Sequence, residues 1–314
     1  AITVPGLVSS SFTWETVNQM DFGFDATFFN NRLDVSFDWY RRDTKDMLTS
    51  GQALPAVLGA SVPRENAADM KTVGWELSLG WNDRLENGLN YHAKLVLADN
   101  KSTITKFTNP TGLLSQYYVG REINEIWGYV SNGLFQSDSE ASNHIDQSYL
   151  YGGKWQAGDV KYEDLNGNNR IDIGDNTLDK PGDRKIIGNS TPRYTFGITA
   201  GLEWKGFDFE MFWQGVGRRD WYPTNEATTF WGPYSRPYQG LIPEGFMDLV
   251  WSEHNPDAYF PRYRAYEALG SQNSLGQPND RYLQNIGYLR FKNLTVGYTL
   301  PCWKKVFSEF RIYF

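Results

Sequence analysis

The chain has 314 residues, including 12 Trp, 19 Tyr, 19 Phe and 30 Gly, and its formal net charge is −7. That length suffices for one large β domain or for part of a larger one. The acidic balance argues against a nucleic-acid partner, which would require a basic surface. The single cysteine, Cys302, excludes an intrachain disulfide and CxxC metal or redox motifs.

Several segments alternate apolar and polar residues with the period of a β-strand. The segment LDVSFDWY, starting at Leu33, sets Leu, Val, Phe and Trp against two Asp residues and other polar partners. GWELSLGW, TFGITAGLEW and FDFEMFW repeat the pattern, and segments near 89–107, 126–135 and 288–300 are less regular but β-like. Tryptophans stand near strand ends, as in a membrane girdle: Trp39, Trp75, Trp81, Trp204 and Trp213. The pattern fits either a transmembrane barrel or a soluble sandwich or propeller with one wet face.

The connections favour the barrel. Tight turns are predicted around Asn30 and Asn31, around Asn87 and Gly88, and at Lys205. Long segments join the other strand ends, at about 48–73, 108–125 and 215–287. Short turns at one rim and long loops at the other are typical of an outer-membrane barrel. We therefore predict an all-β fold, a transmembrane antiparallel β-barrel with long extracellular loops.

One connection, DLNGNNRIDIGD at 164–175, resembles a twelve-residue calcium loop. Oxygen-bearing side chains fall at positions 1, 3, 5, 9 and 12, and a backbone carbonyl is expected at position 7. The predicted ligands are Asp164, Asn166, Asn168, Arg170 (carbonyl), Asp172 and Asp175. Asn169 replaces the usual glycine, which is tolerable because Asn adopts the left-handed conformation. The alternatives are a structural Ca²⁺ site and a polar turn without metal.

Enzymatic motifs are not recognisable. The three histidines, His92, His144 and His254, are far apart and form no HExxH set, and there is no GxSxG elbow or Walker loop. Asp208 and Glu210 share one strand face, as expected for the water-facing inner surface of a barrel. We therefore predict that the protein is not an enzyme.

Six motifs, in order, carry a family resemblance. They are FTWETVNQMDFGFDATFFNNRLDVSFDWYRRDTKDML, NAADMKTVGWELSLGWNDR, VGREINEIWGYVSNGLFQ, GDVKYEDLNGNNRIDIGD, KIIGNSTPRYTFGITAGLEWKGFDFEMFWQGVG and YLRFKNLTVGYTLP. Together they resemble the SusC/RagA family of TonB-dependent outer-membrane transporters, from about Phe12 to Phe314. The resemblance implies the C-terminal part of a plugged barrel of about 22 strands.

The resemblance also implies a function and partners. The protein would import oligosaccharides or peptides across the bacterial outer membrane, powered by TonB through a plug region, with a SusD-like surface lipoprotein over the barrel mouth and lipid around the wall. We expect residues 1–314 to form part of the barrel, without the plug and the last strands. Within it, 159–183 would be the calcium-loop-like connection and 215–287 a long extracellular loop. The alternative is a secreted, calcium-stabilised β-rich module that binds glycans without moving them.

Candidate contacts with cargo lie in two regions. Aromatic residues of the long 215–287 segment would either stack on sugars and clamp peptides or fill the core of the loop: Trp221, Tyr222, Phe230, Trp231, Tyr234 and Tyr238. Charged residues of the strands would line the bore: Asp34, Glu76, Lys94, Asp208 and Glu210. We expect the 164–175 loop at the outer rim in a structural role, with Asp159, Asp179 or Asp183 as a possible extra ligand.

Overall fold

The computed structural model describes residues 12–50, 62–235, 238, 242–264, 268–270, 273–300 and 310–314, so Cys302 lies outside the described residues. No helix in these ranges is both long enough and apolar enough to cross a membrane. The strands are β1 Thr16–Phe28, β2 Leu33–Ser50, β3 Arg64–Arg84, β4 Asn90–Lys106, β5 Glu125–Tyr129, β6 Ser131–Leu134, β7 Val160–Tyr162, β8 Arg184–Asn189, β9 Arg193–Trp204, β10 Phe207–Arg218, β11 Asp220–Trp221, β12 Gln284–Asn285, β13 Tyr288–Thr299 and β14 Arg311–Tyr313. The helices are α1 Asp138–Asn143 and α2 Thr228–Trp231, with 3₁₀ turns at Gly232–Tyr234 and Phe246–Leu249.

Eight strands form one antiparallel sheet, here called the wall, in the order β1-β2-β3-β4-β9-β10-β13-β14. Its hairpin turns require left-handed backbone conformations. Asn30 and Asn31 adopt φ values of 57° and 64° between β1 and β2, Gly88 adopts 84° between β3 and β4, and Gly206 adopts 87° between β9 and β10. Asn and Gly tolerate this region best, so the predicted tight turns are confirmed. All three hairpins lie along one rim of the sheet.

The wall has an apolar face and a polar face, as the period-2 alternation predicts. The register pairs Trp39 with Trp75, and Leu79 with both Val35 and Leu95, on what we call the outer face. These side chains keep part of their surface accessible, and no described element packs over them. The row containing Trp75 and Leu79 is therefore not enclosed in a compact body, which argues against the soluble sandwich.

On the opposite, inner face, glycines lie directly across from polar side chains. The register sets Gly23 opposite Asp38 and Gly201 opposite His92. A Cβ on Gly23 would lie 2.1 Å from Asp38 Oδ1, and one on Gly201 would lie 2.5 Å from His92 Cε1. Each glycine thus lets a polar side chain of the next strand lie flat against the sheet, which leaves space in front of the inner face.

The second region, here called the cap, comprises the described residues of 107–192 and 219–287. These connections link β4 to β9 and β10 to β13 at the rim opposite the hairpins. The segment predicted as a strand near 126–135 is extended, but it belongs to the cap: β5 pairs with β8, and β6 pairs with β7. The predicted connection at 48–73 is shorter than expected, because β2 reaches Ser50 and β3 begins at Arg64.

The cap has its own hydrophobic core. Residues from both connections form a single buried cluster: Tyr129, Leu134, Leu150, Val160, Tyr162, Ile171, Trp231, Tyr234, Phe246, Val250, Phe260, Ala268, Leu269, Leu275 and Tyr282. Hydrogen bonds and an ion pair join the same two connections. The Tyr162 hydroxyl donates to Ser274 O at 3.0 Å, and Arg264 pairs with the buried Asp159 at 2.6 Å. The two long connections therefore fold against each other.

Candidate functional site

The charged residues predicted to line the bore share the inner face of the wall. One cavity of about 670 Å³ contains Asp208 and Glu210 among its lining residues, and Arg311 lies there as the ion-pair partner of Asp208. A second cavity, of about 270 Å³, is lined by Asp34 and Lys94, among others. Glu76 lies opposite Asp38 on the same face. Polar, charged side chains in front of an open inner face suit a water-filled path.

The first half of the 164–175 loop has the geometry expected of a cation loop. Asp164 accepts the backbone N–H of Gly167 at 2.6 Å and that of Asn169 at 2.7 Å. Asn169 has φ 62°, the left-handed conformation expected at this position. Ile171 is fully buried in the cap core. The tight turn and the inward apolar residue are therefore confirmed.

The other Asx side chains of the loop cap nearby N–H groups. Asn166 Oδ1 accepts from Asn168 N at 3.0 Å, Asn168 Oδ1 from Arg170 N at 2.8 Å, and Asp172 Oδ1 from Gly174 N at 2.7 Å. The guanidinium of Arg170 lies 3.6 Å from Asp172. Each carboxylate or amide oxygen can accept more than one contact. This bonding organises the loop and leaves oxygen lone pairs available.

The last position of the loop differs from the prediction. Asp175 turns away and pairs with Lys180 at 3.1 Å, because the chain reverses at Gly174. Within the described part of the chain, no group of three or more His, Cys, Asp or Glu side chains is arranged to hold a metal ion. The three predicted acidic ligands, Asp164, Asp172 and Asp175, therefore do not form such a group.

A different acid, Asp183, hydrogen-bonds to the loop backbone. It is fully buried and accepts Leu165 N at 3.0 Å and Asp172 N at 2.8 Å. Burial raises the pKa of Asp183, and the neighbouring charge of Asp164 adds to that rise. For Asp164, burial is outweighed by the backbone N–H groups, which hold its pKa below the usual value. Two acidic side chains thus face each other at the base of the loop.

The six aromatic residues predicted to contact cargo do not form one surface. Trp231 and Tyr234 are fully buried in the cap core, so their prediction as cargo contacts is wrong, and they fill the loop instead. Tyr222 and Phe230 pack against that core, and the Tyr222 hydroxyl donates to Gln277 O. Trp221 and Tyr238 keep exposed surface, 37% and 85%, and stay candidates.

A cavity of about 740 Å³ lies between the two connections of the cap, and no sequence motif pointed to it. Its size is that of a small-molecule pocket. Side chains of both connections line it: Gln136, Asp138, Gln156, Trp251, Glu253, Arg262 and Tyr263. The lining residues come from segments about 100 positions apart in sequence, so only the packing of the cap brings them together.

The family assignment rests on the whole length of the chain. The family profile described as "TonB dependent receptor-like, beta-barrel" matches residues 3–313. The chain belongs to this family. Barrels of TonB-dependent receptors reside in the bacterial outer membrane, and this chain is therefore an outer-membrane protein whose wall strands cross the bilayer.

Individual TonB-dependent receptors support the assignment. "TonB-dependent receptor P3" of Formosa agariphila is 27% identical over 96% of this chain and 28% of its own length. "TonB-dependent receptor SusC" of Bacteroides thetaiotaomicron is 23% identical over 96% of this chain and 28% of its own. The chain thus spans less than a third of these relatives.

Solved structures share the fold. A chain of the RagAB peptide importer in its closed-closed state superposes with a TM-score of 0.67 at 22% identity, covering 96% of this chain and 31% of that one. A second structure, titled as the RagAB peptide transporter, gives a TM-score of 0.66. The wall is therefore part of a TonB-dependent β-barrel, as the sequence predicted.

Proposed function

We propose that the full protein imports oligosaccharides or peptides across the outer membrane in a TonB-dependent manner, as a transporter and not as an enzyme. The observation that carries the proposal is the two-sided wall. Its outer face presents apolar side chains suited to lipid, and its inner face presents Asp34, Glu76, Lys94 and Glu210 towards open space. A secreted glycan-binding module would have no use for such a surface.

The cargo class and the partners are part of the proposal. One relative is named SusC, and the RagAB structures are titled as a peptide importer. We propose a SusD-like surface lipoprotein over the cap and TonB acting through a plug. The cavity between the cap connections, with Trp251, Glu253 and Arg262 in its lining, offers rings and charged groups to either a sugar or a peptide.

Uptake by living cells tests the import function. A strain without the gene is complemented with the full-length gene and is given fluorescently labelled oligosaccharides or peptides of graded length. We expect uptake only in the complemented strain and only while the proton-motive force is intact, because TonB requires it. Uptake that survives an uncoupler, or is equal in the strain without the gene, would contradict the proposal.

We also propose that the 164–175 loop holds a structural Ca²⁺. Asp164, Asn166, Asn168, Asp172 and the carbonyl of Arg170 would be ligands, and Asp183 would replace Asp175. The bound ion would draw the acidic side chains together, because within the described residues they are not arranged as a metal-binding group. Support comes from the left-handed Asn169, the side-chain oxygens with lone pairs to spare and the pairing of Asp164 with the buried Asp183. When bound, the ion would neutralise the repulsion between these two carboxylates.

Terbium luminescence tests the cation site, because aromatic side chains sensitise a bound Tb³⁺ ion. We expect the full-length protein to bind Tb³⁺ in competition with Ca²⁺, and Asp164→Asn to abolish the signal. Asp175→Asn should have little effect if Asp183 is the ligand. Asp179→Asn, which removes an exposed neighbouring acid, is the control of equal charge. Equal signals from all variants would contradict the assignment.

A further inference from the structure

The outer face of the wall changes from apolar to basic at one height on three neighbouring strands. Arg41 on β2 and Lys101 on β4 both lie opposite Val73 of β3. Lys71 of β3 lies two residues before Val73, on the side of the long connections. Neighbouring strands are about 4.7–4.9 Å apart, so Arg41 and Lys101 are about 10 Å apart across the sheet. Their long side chains, together with that of Lys71, can reach a common point.

This basic cluster, Arg41, Lys71 and Lys101, lies just beyond the aromatic girdle. Trp39 and Trp75 are paired across β2 and β3, two positions closer to the hairpin rim than the Arg41–Val73 pair. Tryptophan marks the boundary between hydrocarbon and headgroups. The cap is attached at the rim beyond the cluster, on the side of the long connections, which face the outside of the cell in such barrels. The cluster therefore lies at the level of the outer-leaflet headgroups.

Acidic neighbours neutralise only part of this charge. Arg41 contacts Asp43 at 2.9 Å, and Lys101 contacts Glu122 at 2.5 Å. Within the described residues, Lys71 makes no ion pair, and neither does Lys45 further along the same face of β2. Asp99, also on this face, is already paired with Arg193 at 2.5 Å. Asp43 also lies opposite Lys71, and Asp69 lies two residues from it. The basic side chains at this height still outnumber the acidic ones by one: Arg41, Lys45, Lys71 and Lys101 against Asp43, Asp69 and Glu122.

We propose that the basic cluster is a binding site for the phosphate of an outer-leaflet lipid headgroup. A guanidinium offers a planar fork and an ammonium a compact charge, and both recognise phosphate. A lipid with its phosphate at this height would have its acyl chains beside Trp39, Trp75 and Leu97. The basic cluster would then bind its headgroup, and the apolar outer face its acyl chains. This site goes beyond the import function and does not depend on the cargo.

Lipid that co-purifies with the full-length protein tests the site. The protein is extracted from its own outer membrane in mild detergent, and phosphorylated lipid bound to it is counted by native mass spectrometry. We expect Lys71→Ala/Lys101→Ala to lose most of the bound lipid and Lys71→Arg/Lys101→Arg to retain it. Because two of the three basic side chains are removed, affinity for added phosphorylated lipid in the double alanine variant should fall at least about tenfold.

The controls separate this site from general charge and from folding. Lys94→Ala removes a lysine from the inner face and should leave lipid binding unchanged. Cold gel mobility of unheated samples reports whether each barrel is intact. Equal lipid retention in an intact Lys71→Ala/Lys101→Ala variant would overturn the proposal. So would equal loss in Lys94→Ala, or displacement of the lipid by millimolar inorganic phosphate, which would indicate an unspecific anion site.

Discussion

In the wall, apolar side chains such as Phe24, Phe207 and Leu294 stand half exposed on one face, whereas in the cap Trp231, Tyr234 and Tyr282 are completely buried. Both regions are rich in aromatic residues. The wall directs them towards what would be hydrocarbon, and the cap directs them towards each other. Trp231, for example, packs edge-on to Tyr282 with ring centroids 5.2 Å apart.

The difference shows that the two regions are stabilised in different environments, the cap in water and the wall in lipid. The cap has the hydrophobic core of a water-soluble domain, held by burial and ring contacts. The wall has a ladder of backbone hydrogen bonds and needs lipid to cover its apolar face. Changes in one region should therefore have little effect on the stability of the other. Four predictions, all for the full-length protein, test that separation.

The largest effect is expected for Trp231→Ala. This side chain is fully buried, and its indole N–H donates to Thr224 O at 3.0 Å. Truncating such a residue costs about 3–5 kcal/mol. We expect protease cleavage within 219–287 while cold gel mobility, which reports the barrel, is unchanged. Trp204→Ala, on the exposed hairpin rim, is the matched control. Equal loss of cap and barrel in Trp231→Ala would show that the two regions do not fold independently.

The second largest effect is expected for a charged residue placed on the outer face of the wall. Leu77→Arg, on the lipid-facing side, should cost about 2–4 kcal/mol, as for charged residues near the bilayer midplane. Ser78→Arg, at the neighbouring position that faces the bore, should cost much less. The measurement is the folded fraction after refolding into phospholipid vesicles. If the two variants fold equally well, the assignment of the faces is wrong.

A smaller effect is expected at the start of α1 in the cap. The hydroxyl of Ser137 accepts the backbone N–H of Glu140 at 3.0 Å, which is an N-cap. Ser137→Ala should cost about 1 kcal/mol, confined to that helix. Hydrogen exchange of the α1 amides measures it. Ser139→Ala, two residues further along, keeps the Ser137 cap and should leave the exchange unchanged.

The smallest effect is a pH dependence of the 164–175 loop. The depressed pKa of Asp164 means that its ionised form stabilises the loop above the unfolded value of about 3.9, and that this stabilisation is lost as pH falls through the folded value. We expect faster exchange of the Gly167 and Asn169 amides on acidification from about pH 5 to 3, after correction for intrinsic rates. Asp164→Asn should remove this dependence, whereas Asp179→Asn should keep it.

Sequence reasoning predicted the wall well, because strand alternation and hairpin turns are local properties. The outer row from Leu33 to Trp39 and the turn at Asn30 follow from neighbours in sequence. Sequence reasoning also predicted the left-handed Asn169 and the inward Ile171. It was wrong about Trp231 and Tyr234, because aromatic composition does not distinguish an exposed platform from a core.

The remaining features depend on contacts between distant segments. Asp183 faces Asp164 only because the chain folds back at Gly182, whose φ is 68°. The cap cavity exists only because the 136–157 and 251–263 segments pack together. Neither contact leaves a periodic signal in the sequence.

By itself, the sequence determined that alternate residues of the wall strands face opposite sides, since the pleat of a β-strand fixes this with a period of two. It also determined where the chain turns, through Asn and Gly. Tertiary structure alone decided which rings are buried in the cap, which acid accompanies Asp164 and how the basic residues Arg41, Lys71 and Lys101 come together. The physical reason is that burial and charge depend on register and packing between segments far apart in the chain.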